Sequence, residues 1–416
     1  MTNSSAKVRS GFAAFQLEEV LERGVAALGF VEPRSIQNET IPPALDGRDI
    51  LGLAQTGTGK TAAFALPLLH RILARRRRGP VALVVAPTRE LATQIDNEIR
   101  ALAKFTKIRT LTIYGGTSMS AQIRGLKQGP DIIVACPGRL LDLYSQGFVD
   151  FSTIEALVLD EADHMFDMGF LPSIRKILEL LPEKRQNLMF SATMPSEIRR
   201  LADAILSDPH VVELAHTKPA ETIAHALYPV RPQRKRDLLE YLLGSDDCQS
   251  AIVFTRTKHR AQRLAEQLAK AGHEAVALQG NMSQSQRDKA MKGFRKGHFD
   301  VLVATDIVAR GIDVSDVSYV INYDAPNTPE AYTHRIGRTG RAERLGRACT
   351  LVSTEDGAWI RATEHYLGAA IERCQVPGFE GVLIRGLAEQ ESEPVRGRGG
   401  RGKRRSYGRR GRARRA

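Results

Sequence analysis

Short, nearly all-apolar runs set between longer mixed stretches constrain this chain more than any other feature. The runs are Val81–Ala86, Asp131–Ala135, Ala156–Leu159 and Leu188–Phe190, then a second set at Ala251–Phe254, Val301–Ala304 and Tyr319–Ile321. A strand that stays apolar along its whole length has both faces covered, which is the environment of a parallel strand between helices. Two such series imply two doubly wound α/β domains. Ahead of them, Leu17, Val20, Leu21, Val25 and Leu28 repeat at helical spacing and predict an amphipathic helix over 17–28.

A length of 416 residues, 42% of them hydrophobic, is enough for two such cores, since domains run to about 100–200 residues. The polar stretch Ser207–Ala224, with two prolines, marks the boundary. The expected division is an N-terminal segment 1–38, a first domain 39–208, a linker 209–224, a second domain 225–377 and a tail 378–416. The tail turns Glu-rich and then Arg/Gly-rich, and without apolar residues it cannot offset its ordering entropy, so disorder is expected. Eleven of the 60 basic residues and none of the 47 acidic ones lie in Pro394–Ala416, so the net charge of +13 belongs to the tail and leaves the body near neutral. A cationic arm on a neutral body points to a polyanion, and nucleic acid is the commonest. Cys136, Cys248, Cys349 and Cys374 form no C-x-x-C pair, which argues against zinc and redox motifs and suits a reducing cytoplasm. No apolar run is long enough to span a bilayer, and the first residues lack the apolar core of a signal peptide.

In open α/β sheets ligands bind beyond the C-terminal strand ends, and polar blocks stand there. After Ile50–Leu53 comes Ala54-Gln55-Thr56-Gly57-Thr58-Gly59-Lys60-Thr61, followed by a helical stretch. Such a glycine-rich turn aims backbone N–H groups at phosphate oxygens, and the helix N-terminus adds positive potential. Lys60 would reach the β- and γ-phosphates of ATP, and the Thr61 hydroxyl would hold Mg²⁺. The generic pattern has glycine where this chain has Ala54. Directly after Ala156–Leu159 stands Asp160-Glu161-Ala162-Asp163. Three carboxylates at one strand end repel one another and need a cation. Asp160 suits Mg²⁺, and Glu161 suits the group that orients and deprotonates an attacking water. Ser191-Ala192-Thr193 offers two hydroxyls able to bridge to Asp163. His334-Arg335-Ile336-Gly337-Arg338-Thr339-Gly340-Arg341 packs three arginines into eight residues. Arg338 and Arg341, with His334 heading the segment, suit stabilisation of charge on a transferring phosphoryl group.

In this order and spacing the blocks resemble the DEAD-box RNA helicases of helicase superfamily 2, whose namesake tetrapeptide stands at 160–163. The resemblance runs from about Phe12 to Pro377. It implies two tandem RecA-like domains with parallel sheets, followed by the disordered basic tail. MFDMGF at 165–170 and KRQNLMFSATMP at 184–195 are similar to the bacterial RhlE-type branch.

The resemblance implies further roles. Gly29-Phe30, Pro33 and Ile36-Gln37 are similar to the Q motif, so Gln37 would pair with the adenine edge, and Phe12 would stack on the base. Arg34 stands where the family often has threonine. Pro87-Thr88-Arg89-Glu90-Leu91-Ala92 is similar to motif Ia, Gly115-Gly116 to the GG motif, and Cys136-Pro137-Gly138-Arg139 to motif Ib with Cys136 in place of the usual threonine. These would contact RNA through Thr88, Arg89, Gly115, Gly116, Gly138 and Arg139. In the second domain Phe254-Thr255-Arg256 is similar to motif IV, and Gln279-Gly280 with Arg287 to the neighbouring RNA-contact motif. Ala304-Thr305-Asp306 with Ala309-Arg310-Gly311-Ile312-Asp313 is similar to motif V. Thr255, Arg256, Gly280, Arg287, Thr305 and Arg310 would contact RNA there, and Asp313 the ATP ribose.

The implied activity is RNA-stimulated ATP hydrolysis with Mg²⁺, coupled to closure of two domains over one bent RNA strand. Short duplexes would open locally and RNA–protein complexes be remodelled. RNA is the expected partner, held through its backbone, and no membrane is. Ribosomal or RNA-decay complexes are settings the family allows. The basic tail reads as an RNA-binding arm. Two rivals stand beside this reading. A DNA helicase of the same superfamily would share the ATPase parts but not the Gln37 block and PTRELA together, and an annealing chaperone would act through the tail without turnover.

Overall fold

The computed structural model describes residues 11–55, 57–74, 79–214, 223–306, 317–340 and 346–379. Among them, two seven-stranded sheets form. The first holds β1 (Ile50–Leu53), β2 (Ala82–Val85), β3 (Thr110–Ile113), β4 (Ile132–Ala135), β5 (Ala156–Leu159), β6 (Gln186–Ser191) and β7 (His210–Glu213). The second holds β8 (Ile223–Pro229), β9 (Ala251–Phe254), β10 (Ala275–Leu278), β11 (Val301–Ala304), β12 (Tyr319–Asn322), β13 (Gly346–Val352) and β14 (Glu372–Arg373). Their orders are β3-β4-β2-β5-β6-β1-β7 and β10-β11-β9-β12-β13-β8-β14, with parallel neighbours throughout. Numbered from its own first strand, each sheet reads 3-4-2-5-6-1-7. One topology is used twice.

The apolar runs become the interior strands because both of their faces are covered. In β1, Ile50 packs into one layer with Phe64 and Phe190, while Leu51 and Leu53 pack into the opposite layer with Leu157 and Met189. In β9, Ile252 and Phe254 face one layer and Ala251 and Val253 the other. Each such Leu, Ile, Val or Phe contributes about 1.5–3 kcal/mol on burial. Close contact also sets residue size. A Cβ on Gly52 would lie 2.5 Å from the Phe190 ring, which in turn packs on Phe64 at 5.6 Å. Helices following the strands start on a hydroxyl that accepts a backbone N–H, at Thr88, Ser118, Thr257, Ser283 and Thr328, each worth about 1 kcal/mol.

Three boundaries differ from the sequence expectation. The first helix is Glu19–Ala27 rather than 17–28. Leu21 and Val25 bury into the first domain's core, so the N-terminal segment belongs to that domain. Gly24 permits this, since a Cβ there would meet the Leu102 carbonyl oxygen at 2.0 Å. The stretch read as a linker over 209–224 loses both ends to the sheets: His210 registers with Ile50 and Ile223 with Gly346. Phe379 packs against the second domain, and the tail expected to be disordered lies outside the described residues from 380 onward. Among the described residues no helix is long and apolar enough to cross a membrane.

Candidate functional site

Strand order sorts the functional loops. Those of the nucleotide motifs leave β1, β5 and β6, three neighbours in the first sheet. The loops read as RNA contacts leave β3, β4 and β2, the adjoining three. In the second sheet the corresponding loops leave β10, β11 and β9. The first domain therefore presents two adjacent rows at the strand ends, and the second presents the counterpart of the RNA row.

The loop after β1 is shaped by glycine. Gly57 (φ +85°) and Gly59 (φ +95°) lie in the left-handed region. Ala54 does not, so that position makes no demand for glycine and the departure from the generic pattern costs nothing. Lys60 opens the helix Lys60–Leu73 and reaches back across the loop, its Nζ donating to the Ala54 carbonyl at 3.0 Å. Thr58 closes the turn onto the Gln55 carbonyl at 2.9 Å, Thr61 follows Lys60 on the helix, and Thr56 lies outside the described residues. The Q-motif segment grips the same loop. Gln37 Nε2 donates to the Gly59 carbonyl (3.1 Å), its Oε1 accepts from Arg34 N (2.9 Å), and the Arg34 guanidinium donates to the Gly57 carbonyl. Arg34 thus replaces threonine with a longer tether to the loop. Phe12 is buried, stacked on Phe30 at 6.0 Å and edge-on to Phe15 at 5.8 Å.

At the end of β5, Asp160, Glu161 and Asp163 are all buried. Asp163 Oδ2 accepts from the Thr193 hydroxyl and backbone N–H, both at 2.9 Å, and the Ser191 hydroxyl accepts from Asp163 N at 3.2 Å. The expected bridge between the two strand ends is therefore made by both hydroxyls. Asp160 Oδ1 accepts the Glu161 N–H at 3.0 Å. Burial pushes the Asp160 carboxyl up, Glu161 and Asp163 add to this, and Lys60 opposes it. Burial also disfavours charge on Glu161, but the His164 hydrogen bond, Lys60 and Arg338 outweigh it and hold that carboxyl low. A buried acid whose neighbours are also acids fits a cation. Mg²⁺ keeps several waters and takes one or two carboxylates plus phosphate. Asp160 with Thr61 would hold it.

The second domain completes this cleft. His334 and Arg338 line it together with Lys60, Glu161, Asp163, His164, Asp167 and Ala192. Arg341 and Asp313 lie outside the described residues. The third arginine, Arg335, went unassigned in the sequence reading and is the anchor of the segment. It binds Asp306 through two bonds (2.6 and 2.7 Å), donates to Asn322 Oδ1 (3.0 Å) and the Asp324 carbonyl (2.8 Å), and lies 4.9 Å over the Phe254 ring. His164 was also missed; its signal is the i+3 spacing from Glu161.

In the other row, Thr88 caps its helix and Arg89 lies over the Gly115–Gly116 turn. Gly116 has φ +78°, and a Cβ on it would meet the Arg89 guanidinium at 2.2 Å. Gly138 and Gly280 are open to solvent, with nothing near a Cβ built on either. Arg139 lies 3.4 Å from both Asp142 and the Thr117 carbonyl. Cys136 is buried, and burial pushes its thiol up to about 12. In the second domain Thr255 and Thr305 are buried at strand ends, and Arg256 N donates to Asp324 at 2.9 Å while its side chain is exposed. Arg287 sits elsewhere than in an open groove. It is buried against Glu90 of the first domain, Nη2 to Oε1 3.0 Å, with Arg89 also facing it. Arg310 lies outside the described residues.

A sequence model described as DEAD/DEAH box helicase matches residues 34–201, and one described as helicase conserved C-terminal domain matches 234–343. The ATP-dependent RNA helicase CshA of Listeria monocytogenes is 42% identical over 370 residues, covering 89% of this chain and 71% of that protein. Among solved structures, S. cerevisiae Dbp5 bound to RNA and ADP BeF3 is 33% identical with a TM-score of 0.78, covering 88% of this chain and 96% of that one. Mss116p bound to ssRNA and AMP-PNP is 26% identical with a TM-score of 0.79, covering 88% and 78%. Both alignments span the two domains. On its sequence and on both sheets, the chain belongs to the DEAD-box family of ATP-dependent RNA helicases.

Proposed function

We propose that this chain hydrolyses ATP in the cleft between its domains when RNA holds them together, and uses that closure to open short duplexes and remodel RNA–protein complexes. The observation that carries this is the meeting of Arg338 and His334 with Lys60, Glu161 and Asp163 around one cleft. Neither domain holds the full set, so turnover depends on closure.

Within the cleft, Lys60 neutralises the outer phosphates. Glu161 orients the attacking water and takes its proton. Arg338 with Arg341 balances charge on the transferring phosphoryl group. Asp160 and Thr61 would hold Mg²⁺, which would supply positive charge against the phosphates of ATP. Gln37 keeps one amide hydrogen and one carbonyl lone pair beyond the bonds to Gly59 and Arg34, a pair that matches the N7 acceptor and N6 donor of adenine. RNA is held along the strand-end row through backbone N–H groups, hydroxyls and guanidiniums, and 2′-hydroxyl contacts give preference over DNA.

Single-stranded RNA is expected to stimulate ATP hydrolysis, and DNA of the same sequence to leave it near the basal rate. Equal stimulation by DNA would move the reading to a DNA helicase. E161Q is expected to bind ATP while losing hydrolysis and unwinding together; full remodelling by that variant would favour an annealing chaperone.

The RhlE-type assignment rests on MFDMGF at 165–170 and KRQNLMFSATMP at 184–195, whereas the relatives at 41–42% identity bear the name CshA. The scattered, unpaired cysteines support a cytoplasmic setting. Ribosome assembly and RNA decay are both compatible with backbone-directed RNA binding.

A further inference from the structure

One buried side chain beside Glu161 has no part in the chemistry above. His164 lies one turn further along the helix Ala162–Asp167, at the spacing where side chains on a helix meet. Its Nδ1 is 3.2 Å from Glu161 Oε2, and the two side chains are 6% and 10% exposed. Both residues are fixed from behind. Glu161 takes a left-handed backbone (φ +53°, ψ +55°), unusual for a residue with a Cβ. The His164 N–H donates to Asp163 Oδ1 at 3.0 Å, and Thr193 holds the other oxygen of Asp163. The imidazole is therefore carried on a braced turn.

A ring nitrogen facing a carboxylate must donate, so Nδ1 carries the proton. Nε2 is buried and has no hydrogen-bond partner, so Nδ1 is the ring nitrogen with a polar contact. The Glu161 carboxylate is contested. Lys60 and Arg338 both act on it, and Asp163, Asp167 and His334 line the same cleft. Left to the two cations, the flexible glutamate side chain would turn both oxygens toward them, away from a water.

We propose that His164 is a positioning residue for ATP hydrolysis: its Nδ1–H holds one oxygen of Glu161 so that the other faces the attacking water. The inference rests on reading Glu161 as the base. It predicts an effect on turnover rather than on binding, because His164 acts through the Glu161 carboxylate. Misplacing a reacting group by about 1 Å costs on the order of 100-fold.

The test uses RNA-stimulated ATPase kinetics of the full chain. In H164N the amide donor stands near the place of Nδ1; in H164Q it is moved outward to that of Nε2. H164Q is expected to lower kcat about 10- to 100-fold, with KM for ATP and half-saturating RNA unchanged, and H164N to recover most of the loss. On an E161Q background, H164Q is expected to lower kcat no further, since both act through one carboxylate. Wild-type kcat in H164Q, equal losses in H164N and H164Q, or an additional loss on E161Q would each overturn the proposal. E161Q hydrolysing at the wild-type rate would remove the reading of Glu161 itself, whereas an inactive E161Q beside an unaffected H164Q removes only the role of His164.

Discussion

Gly59 answers two demands at once. Its φ of +95° suits a residue without a Cβ, and a Cβ would lie 2.6 Å from Gln37 Nε2. Gly59→Ala would therefore strain the backbone by about 1 kcal/mol and push Gln37 off the loop. ATP affinity is expected to fall at least tenfold in a fluorescent-nucleotide titration, with RNA binding in the absence of nucleotide unchanged. Undiminished ATP affinity would show that Gln37 is not held through this contact. The motif glycines and charged residues could be read because phosphate chemistry leaves few choices of side chain. His164 and Arg34 could not, since a histidine or an arginine has many surface uses and only its neighbours define its role.

At the scale of elements, Arg335 joins the helix Pro329–Ile336 to the ends of β9, β11 and β12 through Phe254, Asp306 and Asn322. Asp306 takes both bonds of a planar fork, which lysine cannot supply. Arg335→Lys is expected to lower the stability of the second domain by about 2–3 kcal/mol, at or just below the low end of the range of about 3–5 kcal/mol for breaking a buried pair, because lysine keeps the charge, read as a shift in urea midpoint. An unchanged midpoint would make the network dispensable. Because the same helix carries His334 and ends beside Arg338, turnover should fall with it. Strands were legible in the sequence where both faces are buried, as in β2, β4, β5, β9, β11 and β12. The edge strands β3, β7 and β14 were not, because an edge is open to solvent and their residues include Thr110, His210 and Glu372; the edge strand β10 is apolar but short and alanine-rich. In β8 and β13 polar residues such as His225 and Arg347 interrupt the run.

Over the whole molecule, the domains meet at Arg287 and Glu90, 3.0 Å apart and each about one-tenth exposed. Arg287 Nε is buried without a partner. Removing one member of such a pair leaves a buried charge, but here the domains can separate and rehydrate it. Arg287→Ala should therefore favour the open form. In the presence of ATP, energy transfer between dyes on the two domains should report less closure, and half-saturating RNA should rise about tenfold or more. Unchanged closure would make the pair incidental. The basic tail is expected to act on a different step. Deleting Arg396–Ala416 is expected to raise half-saturating RNA with kcat nearly unchanged, and this difference should shrink as salt rises, because the tail's phosphate contacts release counterions. An unaltered RNA requirement at low salt would exclude the arm.

By itself the sequence determined that this chain builds two copies of a parallel α/β sheet and places phosphate, carboxylate, hydroxyl and arginine chemistry at their strand ends. Those facts follow from local rules, namely burial on both strand faces and the narrow choice of residues that suit a phosphate. Only the tertiary structure decided which strands stand side by side, and so that the nucleotide loops form one row and the loops read as RNA contacts the next. It alone brought Arg338 to Glu161, set His164 against that carboxylate and joined Arg287 to Glu90. Arg338 and Glu161, like Arg287 and Glu90, lie on separate domains and are made neighbours by packing, whereas His164 meets Glu161 through helical spacing once the turn at Glu161 is set.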